Sequence, residues 1–71
     1  MLLKNFGDHI RSLRESRGLS QEKFALKAGI DRTYYASVDN GKRNISRINL
    51  GKISCGFGLS LSELLDGVTN G

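Results

Sequence analysis

The most constraining feature of this sequence is a pair of helix start signals, Ser20 and Asp31, with Gly29 between them. Serine and aspartate side chains accept hydrogen bonds from the free amides of a first helical turn. A glycine between two helices adopts the positive φ that a tight turn needs. The spacing predicts short helices over about 20–28 and 31–40 that meet at a steep angle and leave the second helix protruding. The predicted inward residues of this pair are Phe24, Ala25, Ala28, Ile30, Tyr35 and Val38.

The remaining sequence predicts three more helices and no sheet. An apolar stripe marks a first helix that ends at Gly18. Ser46 is expected to cap a fourth helix, and either Ser60 or Ser62 a short fifth helix that Gly67 closes. The predicted fold class is therefore all-α, a compact five-helix bundle. The apolar members are predicted to be Leu3, Phe6, Ile10 and Leu13 in the first helix, Ile48, Leu50, Ile53 and Cys55 in the fourth, and Leu61, Leu64 and Leu65 in the fifth.

The length and composition favour one small domain over residues 1–71. The chain is 38% hydrophobic and 25% charged, as in ordinary globular domains. An elaborate active-site cleft is not expected in a core of this size. No apolar run approaches the roughly 20 residues that a membrane span requires. The amino-terminal sequence MLLKNFGDHIRS places a lysine and an acid where a signal peptide needs an apolar region, so the expected location is cytoplasmic.

The positive charge is concentrated in the first two thirds of the sequence. The formal net charge is +4 and the pI is about 9.6. Residues 1–47 contain ten lysines and arginines against five acidic residues, whereas residues 48–71 contain one lysine against two acids. This asymmetry favours a polyanionic partner for the first segment.

The outer face of the second helix of the pair carries groups that match the edges of base pairs. A guanidinium can contact guanine through two hydrogen bonds, and a methyl group can pack against thymine. The same set of groups does not suit a metal site or an acyl-transfer site. The outer residues are Arg32, Thr33, Tyr34, Ala36 and Ser37.

Three segments together resemble the helix-turn-helix domains of the XRE, or phage repressor-like, transcriptional regulators. They are RxxRGLSQ (Arg14 to Gln21), FALKAGIDRTYYASVDNGKRN (Phe24 to Asn44) and the closing LSLSELL. DRTY followed by NGKRN is similar to the small controller proteins of restriction-modification systems. The resemblance implies the lambda repressor-like DNA-binding fold and a regulator that binds double-stranded DNA.

The resemblance also implies roles for particular residues. Base contacts are expected from Arg32, Thr33, Ala36 and Ser37, and phosphate contacts from Gln21, Tyr34, Lys42, Arg43 and Asn44. One recognition helix reads only a few base pairs, so a homodimer on a palindromic operator is expected, with the two helices about 34 Å apart. The predicted dimer interface is Leu65 and Val68, with Leu61 and Leu64 in the core.

The sequence departs from the family pattern at three positions. Asp39 replaces a usual glutamate, so its carboxylate has a shorter reach for bracing the following loop. Tyr35 replaces an aliphatic residue and its hydroxyl needs a partner, which leaves open whether Tyr35 or Tyr34 faces inward. Gly51 costs about 1 kcal/mol within a helix and is expected to mark a close backbone approach. Leu26 is expected to be an isolated surface leucine.

Several other residues are expected to have no functional role. Arg11, Arg14 and Arg17 are interpreted as solvated helix charges, and His9 likewise as solvated. Cys55 is expected to be a buried structural thiol, because it lies between apolar residues.

An alternative function is a protein-interaction or antitoxin-like module on the same helical fold. An enzyme is not expected, because Cys55 and His9 lack a base and an orienting group, and Tyr34 lacks the histidine and arginine set of a strand-transfer enzyme. The prediction includes no catalytic residue, metal, cofactor or small-molecule ligand.

Overall fold

The computed structural model describes residues 3–66, with side chains from Asn5 onward, and within that range it is all-helical, with five helices and no strand. The predicted fold class is confirmed. Gly67 and Val68, and the side chain of Leu3, lie outside the described residues. The helices are α1 (Leu3–Ser16), α2 (Gln21–Ala28), α3 (Arg32–Asp39), α4 (Arg47–Phe57) and α5 (Leu61–Asp66).

The helix starts follow the cap residues of the sequence. The Oγ of Ser20 accepts a hydrogen bond from the Lys23 amide at 3.1 Å, and the carboxylate of Asp31 accepts one from the Tyr34 amide at 3.0 Å. Gly29 has a φ of 73°, so the predicted left-handed turn between α2 and α3 is confirmed. The turn therefore sets the direction in which α3 leaves α2.

The later helices are capped in the same way. Ser46 caps α4 through the Asn49 amide at 3.2 Å. Ser60, and not Ser62, starts α5: its Oγ accepts from the Glu63 amide at 3.1 Å, while the Glu63 carboxylate accepts from the Ser60 amide at 2.9 Å. This reciprocal capping box satisfies two amides at once.

Aromatic residues from three helices form the centre of the core. The ring of Phe24 on α2 stacks on Phe57 of α4, with centroids 4.2 Å apart, and contacts Tyr35 of α3 at 5.1 Å. The inward positions predicted for Phe24 and Tyr35 are confirmed, since both are fully buried. The buried apolar residues are Phe6, Ile10, Phe24, Ala25, Ile30, Tyr35, Val38, Ile53, Phe57 and Leu64.

Two helical glycines permit close packing. A Cβ atom at Gly7 would lie 2.7 Å from the carbonyl oxygen of Val38, so α1 approaches the end of α3 closely. A Cβ atom at Gly56 would lie 2.9 Å from the Phe24 ring. The close approach expected at Gly51 was wrong, because no atom from another element lies within 4 Å of a Cβ built there.

The inward face predicted for α4 was partly wrong. Ile48 is 75% exposed and Cys55 is also exposed, so Cys55 is not a buried structural thiol. Ile53 and Phe57 point into the core at a helical spacing of four, and Cys55, two residues from each, lies about half a turn away. The residue that completes this inward face is Phe57, which the sequence reading did not assign to the core.

Two expectations at the packing of α5 were also wrong. Leu61 is 44% exposed, whereas Leu64 is fully buried and the partly buried Leu59 and Leu65 pack against the core. His9 is half-buried and its Nε2 donates to the carbonyl oxygen of Leu64 at 2.7 Å, so it is not merely solvated. A single turn of α5 is thereby tied to α1. Among the described residues, no helix has the length and apolar character that crossing a bilayer requires.

Candidate nucleic-acid interface

The predicted base-contact residues share one face of α3. Tyr35 and Val38 turn into the core, so positions 32, 33, 36 and 37 lie on the other side of the helix. Arg32 and Thr33 are exposed, and the smaller Ala36 and Ser37 are half-buried on the same face. The hydroxyl of Ser37 donates to the Thr33 carbonyl oxygen at 3.1 Å, which leaves its oxygen available as an acceptor.

An open cleft of about 570 Å³ runs between the start of α2 and the outer face of α3. It brings the predicted phosphate contact Gln21 next to three of the predicted base contacts. The cleft is lined by Arg14, Ser20, Gln21, Glu22, Arg32, Thr33 and Ala36.

An exposed ion pair crosses this cleft. The Nη1 atom of Arg32 lies 3.3 Å from the Oε2 atom of Glu22, and the two side chains are 66% and 70% exposed. Such a pair adds little to stability, typically about 0.2–1 kcal/mol. Glu22 received no role in the sequence analysis, because the partners come from different helices and only the angle of the turn brings them together.

A buried carboxylate joins the first three helices behind the cleft. Asp39 is fully buried and accepts hydrogen bonds from Gln21 Nε2 at 2.7 Å and from Tyr35 Oη at 3.1 Å. It also pairs with the guanidinium groups of Arg11 and Arg14, each at 3.3 Å. We call these five residues, Arg11, Arg14, Gln21, Tyr35 and Asp39, the Asp39 network.

The Asp39 network changes the acidity of two of its members. Burial by itself would raise the pKa of Asp39, but the hydrogen bonds from Gln21 and Arg14 outweigh it and hold the pKa below its ordinary value. Burial, followed by the negative charge of Asp39, raises the pKa of Tyr35. Asp39 is therefore ionised and Tyr35 is a hydrogen-bond donor at neutral pH.

The Asp39 network corrects several expectations. Arg14 is only 8% exposed and donates to the Leu19 carbonyl oxygen at 2.7 Å, so it is a structural cation and not a solvated one. Arg11 is likewise engaged by Asp39, and Arg17 is exposed but lies over the Phe57 ring at 5.0 Å. Arg11 and Arg14 are drawn toward Asp39 because a buried carboxylate requires a counter-charge.

Asp39 braces helices and not the loop that follows it. The shorter side chain points back toward α1 and α2, where its partners lie. Tyr35 faces inward and its hydroxyl finds its partner in Asp39. For Gln21, whose side-chain amide is held by Asp39, the phosphate contact stays a prediction.

The loop after α3 is held by Tyr34. The Tyr34 hydroxyl donates to the carbonyl oxygen of Asn44 and accepts from the Ser46 amide, both at 3.2 Å. The guanidinium of Arg43 lies 5.4 Å from the Tyr34 ring centre. Burial by itself would raise the pKa of Tyr34, but hydrogen bonds involving Asn49 and Ser46 lower it. The predicted phosphate contacts Lys42, Arg43 and Asn44 are exposed in this loop, and Arg43 and Asn44 contact Tyr34.

The predicted dimer interface lies only partly within the described residues. Leu65 is half-buried and packs against the core, while its predicted interface partner Val68 lies outside the described range. Within residues 3–66, the histidine, cysteine and acidic side chains form no group of three that could bind a metal ion.

Comparison with known proteins places these features in a family. The helix-turn-helix family model HTH_3 matches residues 10–64. The control protein C.MunI of a Mycoplasma species is 53% identical over 64 residues, which covers 89% of this chain and 86% of that protein. The control protein C.BamHI of Bacillus amyloliquefaciens is 40% identical over 67 residues, covering 93% and 83%. The crystal structure of the restriction-modification controller protein C.AhdI from Aeromonas hydrophila superposes with a TM-score of 0.82 at 40% identity, covering 87% and 94%.

Proposed function

This chain belongs to the HTH_3 family of helix-turn-helix proteins, and we propose that it is a transcriptional regulator of the controller type that binds double-stranded DNA sequence-specifically. It binds a palindromic operator as a homodimer and places α3 in the major groove. The observation that carries the proposal is the outward face of α3, on which Arg32 and Thr33 are exposed beside Ala36 and Ser37.

Base reading follows from the chemistry of that face. The Arg32 guanidinium supplies two parallel N–H donors for guanine N7 and O6, the commonest specific contact in the major groove. Thr33 and Ser37 supply hydroxyls, and the Ala36 methyl group packs against thymine. We call Arg32, Thr33, Ala36 and Ser37 the reading face of α3. Tyr35 and Val38 anchor the opposite side of α3 in the core, so the reading face keeps its orientation.

Phosphate contacts set the register on the duplex. Lys42, Arg43 and Asn44 lie in the loop immediately after α3, and Gln21 lies at the start of α2, so the proposed phosphate contacts flank the reading face. The free amides at the α2 N-terminus add to the attraction for a phosphate. Each phosphate neutralised releases counterions, so the affinity falls steeply with salt.

Dimerisation supplies the specificity that one helix lacks. The domain measures 30 × 23 × 23 Å, so two copies in contact can place their recognition helices about 34 Å apart, one turn of DNA. The proposed interface uses Leu65 and Val68, which belong to residues 48–71, the segment without a basic surplus.

Selection of binding sites from random duplex DNA tests this proposal, followed by fluorescence anisotropy titration at several salt concentrations. The expected result is a pair of inverted half-sites spaced by about one helical turn, bound with an affinity that falls as salt rises. Enrichment of no sequence, together with no salt-dependent binding to any duplex, would overturn it in favour of a protein-interaction module.

A further inference from the structure

Glu22 is an acidic residue in a cleft whose other lining residues are cationic or neutral. Glu22 lies in the first turn of α2, is 70% exposed and lines the same cleft as Arg32 and Thr33. A carboxylate at a surface that meets phosphates repels them. Its presence there weakens binding to every sequence unless it makes a contact of its own with the DNA.

The ion pair with Arg32 determines what that contact can be. The Arg32 Nη1 atom lies 3.3 Å from Glu22 Oε2, so the guanidinium donors and the carboxylate acceptor stand side by side. Guanidinium groups have five donors in one plane, and one contact with Glu22 leaves others free for a base. The pair therefore presents donors next to an acceptor, and both side chains line the cleft.

One base pair, in one orientation, matches the donors of Arg32 followed by the acceptor of Glu22. Across the major groove, a G·C pair presents guanine N7 and O6 as acceptors, followed by the N4 amino group of cytosine as a donor. Guanine O6 and cytosine N4 are themselves hydrogen-bonded, about 2.9 Å apart, which is close to the spacing of the Arg32 and Glu22 atoms. An A·T pair ends in thymine O4, an acceptor that the carboxylate would repel, and a reversed C·G pair inverts the order.

We propose that Glu22 is a specificity-determining residue whose carboxylate accepts a hydrogen bond from the N4 amino group of the cytosine paired with the guanine that Arg32 contacts. The inference rests on the proposed DNA-binding function. Glu22 adds nothing to general affinity, and its role is to favour one base pair in one orientation within each half-site.

A charge-matched pair of variants tests the proposal. Glu22→Ala removes the carboxylate from the cleft, and Glu15→Ala removes one from the exposed surface of α1. Both glutamates are exposed, and alanine favours helix, so both variants keep the fold, as circular dichroism would verify. Sites are selected from random DNA with the wild type and both variants, and affinities are then measured with the four base pairs at each half-site position.

The wild type is expected to require one G·C pair in a fixed orientation. Glu22→Ala is expected to reduce the preference at that pair about tenfold, while Glu15→Ala keeps it. Equal preference in the two variants overturns the inference, and so does a wild-type half-site without such a G·C pair. If the wild type selects no sequence, the proposed function fails instead, so the two failures are distinguishable.

A modified base gives a second readout that does not depend on repositioning of Arg32. N4-methylcytosine keeps its pairing with guanine but replaces the major-groove hydrogen of the amino group with a methyl group. We expect this base to weaken wild-type binding several-fold and to leave the binding of Glu22→Ala almost unchanged. An equal loss in both proteins would contradict a contact between Glu22 and N4.

Discussion

Replacing Asp39 with asparagine tests how far the fold depends on one buried charge. The carboxylate is fully buried and accepts five hydrogen bonds. Asparagine keeps the shape but removes the charge, which leaves the Arg14 guanidinium, only 8% exposed, without its counter-charge. Breaking one side of a buried ion pair costs about 3–5 kcal/mol. A 71-residue domain has about 4 to 11 kcal/mol of stability in total, so Asp39→Asn should consume a large share of it.

Urea unfolding followed by circular dichroism at pH 7 measures this loss. Two milder variants of the same network provide the scale. Tyr35→Phe removes one hydrogen bond to the carboxylate, about 1.5 kcal/mol, and Arg11→Ala removes a partner whose side chain is 39% exposed, about 1 kcal/mol or less. A smaller loss of stability for Asp39→Asn than for Tyr35→Phe would refute the dependence of the fold on this buried charge.

The same substitution should remove part of the acid sensitivity. The pKa of Asp39 in the folded protein lies below its ordinary value of 3.8, so its contribution is fully present above that value and is lost as the pH falls through the lower folded pKa. The difference in unfolding free energy between wild type and Asp39→Asn should therefore shrink below about pH 4. Glu63, whose pKa is lowered by hydrogen bonds from Ser60, is present in both proteins and cancels. A difference that stays constant from pH 6 to pH 3 would exclude this account.

Further substitutions separate base reading, phosphate contact and helix packing. Arg32→Ala should cost about 1–3 kcal/mol on the selected operator and relax base preference, and an unchanged preference in titrations of mutated operators would remove Arg32 from the reading face. Lys42→Ala should weaken binding to all sequences alike and reduce the slope of log affinity against log salt by about 0.9. Lys27 lies in the last turn of α2, at the opposite end from Gln21, and Lys27→Ala should leave that slope unchanged. Gly51→Ala should raise the free energy of unfolding by about 0.5–1 kcal/mol, since a Cβ meets open space there. Gly56→Ala should lower it by about 1–3 kcal/mol because its Cβ would press on Phe24, and thermal melts that gave both variants the same sign would contradict this packing.

Local rules account for what the sequence predicted well. Ser20, Asp31 and Ser46 cap the helices that follow them, because a side-chain oxygen three residues from an amide needs no information from the rest of the chain. The turn at Gly29 belongs to the same class, since a left-handed residue between two helices excludes most side chains. The outward face of α3 followed from these signals together with the spacing of its buried residues.

Features set by packing between helices were harder to predict from the sequence. Ile48 and Cys55 are apolar and were expected inside, but a helix turns about 100° per residue and the strongest inward positions of α4 are Ile53 and Phe57. The burial of Arg14 depends on a carboxylate 25 residues later in the chain. The ion pair of Glu22 with Arg32 depends on the angle at which α3 leaves α2. Each of these contacts is set by the relative placement of two helices, which no residue pattern within a single helix specifies.

The position of α3 is fixed from both ends by groups that also border the proposed interface. At its start, Asp31 caps the helix and Gly29 sets its direction. At its end, Asp39 joins α3 to α1 and holds the amide of Gln21 at 2.7 Å. The loop after α3, which carries the predicted phosphate contacts, is held by the hydroxyl of Tyr34. Because the same contacts stabilise the fold and orient both sides of the reading face, a substitution such as Asp39→Asn should weaken DNA binding as well as stability. That loss should appear as a uniform drop in affinity across operators, in contrast to the altered base preference expected for Arg32→Ala.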